Sequence, residues 1–271
     1  MRILPVYLAY LAVVAVLQFF THVHQPPIGW IGDLTFTVNF LPRTTISGHL
    51  WSLSVEEQFY LLWPITFVWL NKWKKYAGWI FALPIIVAIL CHIVSFNNCV
   101  PWLIHPLFHA HSSLVNFDSL DVGCIAAFAL AKHESRLLAF TAGKKLFLVI
   151  AIGVLLIAIP SLDMPFIFPI VAVAGNLFQT MGFVVLLVSS ILHPSYFKPL
   201  NWNVVTQVGL VSYSVYIWQQ IFYAAPEAYA VANVWWMSFP GWLLPALAAG
   251  FASYYGFERP LLKLRTRFRN N

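Results

Sequence analysis

Two adjacent carboxylates, Glu56 and Glu57, stand at the start of an apolar run in a chain that has only nine acidic residues. A charged side chain in hydrocarbon costs roughly 2.5–3.5 kcal/mol at the least favourable depth, so such a residue usually has a partner or a function. On a helix, Ser52, Glu56 and Tyr60 would lie four residues apart on one face, as a polar stripe turned away from lipid. This spacing predicts a site where a carboxylate and two hydroxyls position a substrate or move a proton.

Glu57 has a second interpretation, as the last residue of a Ser-x-x-Glu capping box that begins at Ser54. In that motif the serine side chain caps the first turn of a helix, and the glutamate bonds back to the backbone N–H of the serine. The capping box would give Glu57 a structural role and would leave Glu56 without one.

Asp118 and Asp121 form a second acidic pair, at the start of a later apolar run. Three residues apart, they would share one face of a helix. Either they line a polar cavity reached from the outer side, or the helix begins later and both acids face outer water. A cavity lined by acids and hydroxyls suits a hydroxylated acceptor such as a sugar, which offers many O–H donors.

His49 is the histidine nearest to Glu56 in the sequence, and it shares a predicted outer segment with Arg43. We take Glu56 and His49 as the candidate catalytic residues. A group of three further histidines has spacing that could bind a metal, but no acid accompanies them and Pro106 interrupts the spacing. We therefore predict no metal site at His105, His109 and His111.

The composition indicates that membrane helices position these residues. The chain has 271 residues, of which 61% are hydrophobic and 9% charged, whereas a soluble domain is about 25% charged. This length suits a single membrane domain over residues 1–271. The net charge of +6 does not indicate nucleic acid, because in a membrane protein the position of each charge matters more than the sum.

Apolar runs predict about eight transmembrane helices, and the charges between them predict the orientation. With the N-terminus in the cytoplasm, 15 basic residues divide so that Arg43 alone lies in an outer loop, as the positive-inside rule requires. We therefore predict an all-α, multi-pass protein of the inner (plasma) membrane with both termini cytoplasmic. The predicted spans are 3–20, 55–70, 79–95, 114–131, 145–160, 169–192, 206–225 and 239–256.

The stretch from Trp51 to Pro64 reads Trp-Ser-Leu-Ser-Val-Glu-Glu-Gln-Phe-Tyr-Leu-Leu-Trp-Pro and closely resembles the signature of the acyltransferase-3 family. That family consists of integral-membrane enzymes that move acyl groups onto carbohydrates and other acceptors. The fixed glutamate of the signature falls on Glu56. A second family stretch, Phe-Asp-x-Leu-x-x-Gly, falls on residues 117–123 and favours Asp118 over Asp121.

Two later segments also resemble the family. Residues 209–218 match a helix that ends in Trp-His in the family, but this chain has Gln219 in place of the histidine, so an acid–base role there is lost. We expect the serine and tyrosine face of this helix to serve helix packing. Near the end of the chain, Glu258 and Pro260 match a Glu-x-Pro motif, and we expect Glu258 to be an inner-face ion pair or a helix-end anchor.

The resemblance implies a ten-helix membrane domain that uses cytoplasmic acetyl-CoA or another acyl-CoA as donor substrate, with no bound cofactor. It implies a carbohydrate or lipid-linked glycan of the cell envelope as acceptor. Arg2 resembles the last arginine of the family's donor-handling stretch, and Asp118, Ser52, Tyr60 and Arg43 are the candidates for acceptor binding. The family's first two helices and its essential histidine precede the position of Arg2, so we expect a chain that lacks them.

The sequence thus predicts a membrane O-acyltransferase, most specifically an O-acetyltransferase. One alternative is an inactive or partner-dependent membrane component, and another is a transporter of acyl or glycan precursors. Transporters often contain inverted repeats, and the sequence shows no internal repeat, which favours the enzyme.

Overall fold

The computed structural model describes residues 3–42, 44–72, 75, 77–96, 111–141, 148, 151–153, 169–223 and 240–263. Within these residues the regular secondary structure is helical, and they contain no strand. The all-α prediction is therefore confirmed for the part of the chain that the structure describes.

The α-helices of the described residues follow the apolar runs of the sequence. In chain order they are α1 (Ile3–Phe20), α2 (Pro27–Thr35), α3 (Trp51–Lys72), α4 (Ala77–Phe96), α5 (Ser113–Thr141), α6 (Pro169–Leu192), α7 (Asn203–Tyr223) and α8 (Leu243–Ser253). Short 3₁₀ segments lie at Val38–Phe40, Gly48–Leu50 and Pro194–Asn201, and a π-helical turn at Tyr254–Glu258 continues α8.

Each predicted span except 145–160 overlaps one of these helices, and that span lies mostly outside the described residues. Among the described helices, α1 and α5 are each long and apolar enough to cross a membrane. Residues Leu177–Leu192 and Pro194–Asn201, bent by 99° at their junction, would add a third span if the pair is one span. The structure thus shows two to three candidate spans, and the full count of eight and the cytoplasmic termini stay predictions.

Large apolar side chains stand on the outside of the described helices. Phe19 is 86% exposed on α1, Leu61 is 75% exposed on α3, and Trp79 is 70% exposed on α4. Water would not stabilise so many exposed apolar groups on helices, whereas lipid would. This surface is typical of helices in a membrane protein.

The structure divides into two compact units, of which the first combines residues 1–51 with residues 199–271. In this unit α8 packs closely against α7. A Cβ atom added at Gly250 would lie 2.9 Å from the backbone N of Val215 and 3.0 Å from its Cα, so the glycine permits the approach. The fully buried face of α7 consists of Val211, Ser214 and Ile217. Ser214 has the packing role that we expected, whereas Ser212 of the same stretch is exposed.

Glu258 is buried in the same unit, at the end of the π-helical turn. Its Oε1 accepts a hydrogen bond from the Ser214 hydroxyl of α7 and another from the Ser253 hydroxyl at 3.2 Å. Of the two expected roles, the structure shows the helix-end anchor, because the carboxylate joins the end of α8 to α7. The basic tail from residue 264 onward lies outside the described residues.

The second unit, residues 52–198, is held together by aromatic and hydroxyl contacts. On α3, Phe59 stacks on Trp63 with ring centroids 5.3 Å apart, and its ring meets the edge of Phe117 of α5 at 5.7 Å. The Ser113 hydroxyl at the start of α5 donates a hydrogen bond to the Gln58 side chain of α3. These contacts bring the two acid-bearing helices, α3 and α5, into one packed unit.

Candidate functional site

The segment between α1 and α3, predicted as an outer loop, is largely folded. It contains α2, which has Pro26 as N-cap residue and Pro27 at its first position. Proline is tolerated there because the N–H groups of the first helical turn make no hydrogen bond within the helix. Phe36 ends α2 in the left-handed region (φ 54°, ψ 44°), and its ring stacks on Tyr7 of α1 with centroids 4.8 Å apart. The stacked contact offsets a backbone cost of about 1–2 kcal/mol.

A buried polar network joins three parts of this segment. Gln25 Nε2 donates hydrogen bonds to Asp33 Oδ2 and to Ser47 Oγ, both at 2.7 Å, and Thr44 Oγ1 lies 2.7 Å from Ser47 Oγ. The exposed fractions of Gln25, Asp33 and Ser47 are 1%, 0% and 1%. Burial raises the pKa of Asp33 to about 7, against the opposing effect of its hydrogen bonds with Ser47 and Gln25. The sequence reasoning missed this network, although an acid in the apolar turn Ile31–Leu34 was a usable signal.

His49 lies in the 3₁₀ turn Gly48–Leu50 that leads into α3, and its ring is held in a fixed orientation. Its Nε2 is 3.1 Å from the carbonyl oxygen of Ile217 on α7. Because a carbonyl oxygen only accepts, the proton of the neutral ring is on Nε2, and Nδ1 carries the lone pair. This Nδ1 is buried and has no hydrogen-bond partner among the described residues. Burial also lowers the pKa of His49 to about 4, so the ring is neutral at physiological pH.

Aromatic side chains surround the His49 ring. Tyr10 of α1 and Tyr216 of α7 meet it edge-on, with centroids at 5.3 and 5.5 Å. The Tyr10 hydroxyl donates to the Ile46 carbonyl at 2.5 Å, and its ring lies 5.7 Å from that of Trp218. The buried Trp218 Nε1–H has no acceptor in the described part of the chain. The rings of His49 and Trp218 thus both contact the ring of Tyr10, and each ring has one buried nitrogen with no partner among the described residues.

The capping-box interpretation of Ser54 and Glu57 is wrong. α3 already begins at Trp51, whose backbone is helical (φ −55°, ψ −38°) and follows directly from the 3₁₀ turn. An N-cap residue has a non-helical backbone, so Ser54, which is fully buried inside the first turn, does not cap the helix. Glu57 therefore does not cap the helix, and a capping role no longer distinguishes its function from that of Glu56.

The stripe of Ser52, Glu56 and Tyr60 lies on α3, as predicted. Ser52 and Glu56 are partly buried, and Tyr60 is 51% exposed. The stripe thus runs from two partly buried residues, Ser52 and Glu56, to the exposed Tyr60. Its proposed roles in acceptor binding and catalysis stay predictions.

Asp118 and Asp121 are both inside α5, which begins at Ser113, and each is 2% exposed. The alternative that both acids face outer water is therefore wrong. Asp118 Oδ1 accepts from the backbone N–H of Ser119 at 2.7 Å, and Thr180 Oγ1 of α6 donates to Ser119 Oγ at 2.9 Å. Asp121 Oδ2 is buried with no hydrogen-bond partner among the described residues. α5 and α6 thus hold two buried acids beside two hydroxyls.

Several predicted site residues lie outside the described residues. Arg2, Arg43, His105 and His109 are among them, so their roles stay predictions. Within the described residues, no three His, Cys, Asp or Glu side chains come together as metal ligands would.

Comparison with known proteins identifies the family. The chain is 29% identical over 185 residues to the peptidoglycan O-acetyltransferase OatA of Listeria monocytogenes, an alignment that covers 63% of this chain and 28% of that protein. It is 26% identical over 225 residues to the putative peptidoglycan O-acetyltransferase YrhL of Bacillus subtilis, which covers 79% of this chain and 34% of that protein. The chain therefore spans about a third of the length of these curated relatives.

No solved structure matches the chain significantly. The family model for the acyltransferase domain matches residues 1–257, which is nearly the whole chain. With the Glu56 signature in place on α3, this chain belongs to the acyltransferase-3 family.

Proposed function

We propose that this chain is a multi-pass O-acetyltransferase of the plasma membrane that moves an acyl group from cytoplasmic acyl-CoA to a hydroxyl of a cell-envelope carbohydrate. Family membership supports the acyl transfer, and the two relatives, one named and one putatively named a peptidoglycan O-acetyltransferase, support a carbohydrate acceptor. The apolar helices support the membrane location.

The observation that carries the proposal is the protonation state and the hydrogen bonding of the His49 ring. Acyl transfer to a hydroxyl requires a base that takes the hydroxyl proton while the oxygen bonds to the acyl carbon and the thiolate of CoA departs. His49 is neutral, its tautomer is fixed by the Ile217 carbonyl, and its Nδ1 lone pair has no partner in the described residues. Burial lowers the pKa of His49 to about 4, which keeps the ring neutral and able to accept a proton at physiological pH but makes it a weaker base than an exposed histidine.

In this proposal the acceptor hydroxyl donates its proton to His49 Nδ1, the buried atom that has no partner among the described residues. A neutral imidazole nitrogen accepts a hydrogen bond from an alcohol, and a sugar offers many such O–H donors.

The remaining site residues receive roles from their chemistry. Glu56 is the second candidate for acid–base work, and the carboxylate of Asp118 would accept hydrogen bonds from sugar hydroxyls. Ser52, Tyr60 and Arg43 would add polar contacts to the acceptor, and Arg2 would contact the phosphates of the acyl donor. With eight helices and both termini inside, the acceptor would be reached from the outer side.

The test is transfer of radiolabelled acetyl from acetyl-CoA to isolated envelope glycan by membranes that contain the protein, with the ester label released by mild alkali. We expect His49→Gln to lower the rate at least ~100-fold, because loss of a general base commonly costs 10²–10⁴-fold. The matched control is His24→Gln, because His24 is exposed in the same segment. Full activity in the His49 variant would exclude its role as base. Absence of ester formation by the wild-type protein, with labelled precursor moved across the membrane, would favour the transporter.

A further inference from the structure

The Gln25–Asp33 pair has an unbalanced set of hydrogen-bonding atoms. One bond joins the two side chains, from Gln25 Nε2 to Asp33 Oδ2 at 2.7 Å. The other two oxygens, Gln25 Oε1 and Asp33 Oδ1, are buried and have no partner among the described residues. If Asp33 is ionised, both oxygens are acceptors without a donor, which is an unfavourable arrangement in a site closed to water.

A proton on Asp33 removes this imbalance. A carboxyl O–H is a donor, and the amide oxygen of Gln25 is the acceptor that it needs. The acid and the amide would then form a pair with two hydrogen bonds, and the structure contains the first of them, from Gln25 Nε2 to Asp33 Oδ2. Rotation of the Gln25 amide is no solution, because it would withdraw the donor that now serves both Asp33 Oδ2 and Ser47 Oγ.

The pair is connected to the turn that carries His49. Gln25 Nε2 also holds Ser47 Oγ, and the Ser47 carbonyl accepts the backbone N–H of Leu50 at 2.9 Å, which closes the turn. Thr44 braces the same turn, since its carbonyl accepts the N–H of Gly48 at 3.0 Å. A change at Asp33 would therefore reach His49 through Gln25 and Ser47.

We propose that Asp33 is a positioning residue that carries a proton in the folded protein, and that its acid–amide pair with Gln25 fixes the turn that presents His49. The positioning part rests on the proposed function, whereas the proton on Asp33 does not. Asp33 itself makes no contact with a substrate in this proposal.

The surroundings of Asp33 agree with a neutral acid. The titratable group that faces it from α1 is Tyr7, whose hydroxyl donates to the Asp33 carbonyl oxygen at 2.6 Å, and the groups that face it from the loop and the turn are the neutral Gln25 and Ser47. Burial raises the pKa of Asp33 to about 7 although its hydrogen bonds with Ser47 and Gln25 lower it, and no described cation is among the groups that shift this pKa.

The pH dependence of thermal stability tests whether Asp33 carries a proton in the folded protein. Because folding raises the pKa of Asp33, its stabilising effect is complete below the ordinary value of 3.8 and is lost as the pH rises through about 7. In the protein purified in detergent, we expect the wild-type Tm to fall by roughly 5–10 °C between pH 5 and pH 8. Asp33→Asn, whose amide supplies a permanent N–H to Gln25 Oε1, should remove this fall. Glu57→Gln, which removes a carboxylate outside the network, should keep it.

Acetyl transfer tests the positioning. We expect Asp33→Asn to retain transfer and to lose the decline above pH 7 that the wild-type protein should show, whereas Asp33→Ala should transfer at least tenfold more slowly at every pH. Should Asp33→Ala fail to fold, Ser47→Ala removes the link to the turn and should lower transfer while leaving the pH dependence of Tm in place.

Three results would overturn the proposal. If the Tm of Asp33→Asn falls with pH as much as the Tm of the wild-type protein, Asp33 does not carry a proton in the folded protein. Normal transfer by folded Asp33→Ala or Ser47→Ala would exclude the positioning role. If the wild-type protein transfers no acetyl group, both the proposed function and the positioning role of Asp33 are wrong. The comparison of Tm values still decides whether Asp33 carries the proton.

Discussion

Gly29 on α2 offers a sharp test of the buried network, because the space for a side chain there is occupied by Gln25. A Cβ atom at this position would lie 2.7 Å from Gln25 Nε2 and 3.1 Å from its Cδ, with Thr44 Cγ2 at 3.3 Å. Ordinary contact begins near 3.4 Å, so the amide nitrogen would have to move by about 0.7 Å. Gly29→Ala therefore acts on the network without removing any of its polar atoms.

The loss of stability in Gly29→Ala follows from the hydrogen bonds that the displaced Gln25 amide no longer makes. Gln25 Nε2 makes two hydrogen bonds of 2.7 Å, to Asp33 and Ser47, and each contributes about 1 kcal/mol net. Leaving their buried partners unsatisfied adds about 1–3 kcal/mol, and the higher helix propensity of alanine returns up to about 1 kcal/mol. We expect Gly29→Ala to lower the free energy of unfolding by about 2–4 kcal/mol.

The assay is thermal unfolding in detergent at pH 6, followed by the far-UV circular dichroism of the helices. A loss of this size corresponds to a Tm roughly 5–10 °C lower. The matched control is Gly123→Ala on α5, where an added Cβ would meet no atom within 4 Å, and which should be neutral or slightly stabilising. Gly29→Ala should also slow acetyl transfer, because Ser47 loses its donor. A Gly29→Ala protein as stable as the Gly123→Ala control would refute the described packing of Gln25.

We make separate predictions for two acids of the second unit, Glu56 and Asp118. Glu56→Gln should lower acetyl transfer about 100-fold or more through loss of an acid–base group, while the neighbouring Glu57→Gln should stay within about twofold of wild type; equal effects of the two variants would remove the special role of Glu56. Asp118→Asn should raise the apparent KM for the glycan about 10–100-fold, the cost of a hydrogen bond to a charged group, while Glu134→Gln, an exposed acid on the same helix, should leave it unchanged. An unchanged KM in a folded Asp118→Asn protein would place Asp118 outside the acceptor site.

The helices were predictable because apolar composition and length are local signals. The predicted run 169–192 coincides with α6, and the run 3–20 coincides with α1. α2 was missed because nine residues with two glycines, Gly29 and Gly32, between prolines and polar residues resemble a loop in sequence. Both glycines are buried, and tertiary packing rather than propensity fixes this helix.

The candidate site was predictable only in part, because its partners are distant in sequence. An acid in an apolar run identified Glu56 and Asp118, and the Ser-x-x-Glu pattern misplaced the start of α3, since the 3₁₀ turn before Trp51 leads directly into the helix. The tautomer of His49 depends on a carbonyl 168 residues away, and nothing near His49 in the sequence indicates it. The Gln25–Asp33–Ser47 network escapes sequence reasoning for the same reason.

The hydrogen bonds of buried polar groups differ between Glu258 and His49. Glu258 Oε1 receives hydrogen bonds from two serines and joins α7 to the end of α8, which accounts for its burial through structure. His49 Nδ1 and Trp218 Nε1–H are also buried, but within the described residues neither has a partner that would account for its burial. A buried polar group without a partner costs free energy, and of these two atoms His49 Nδ1 is an acceptor and Trp218 Nε1–H a donor. In the proposed function the fixed, neutral imidazole of His49 is the base for acyl transfer, whereas a transporter of acyl precursors would need a polar path across the unit.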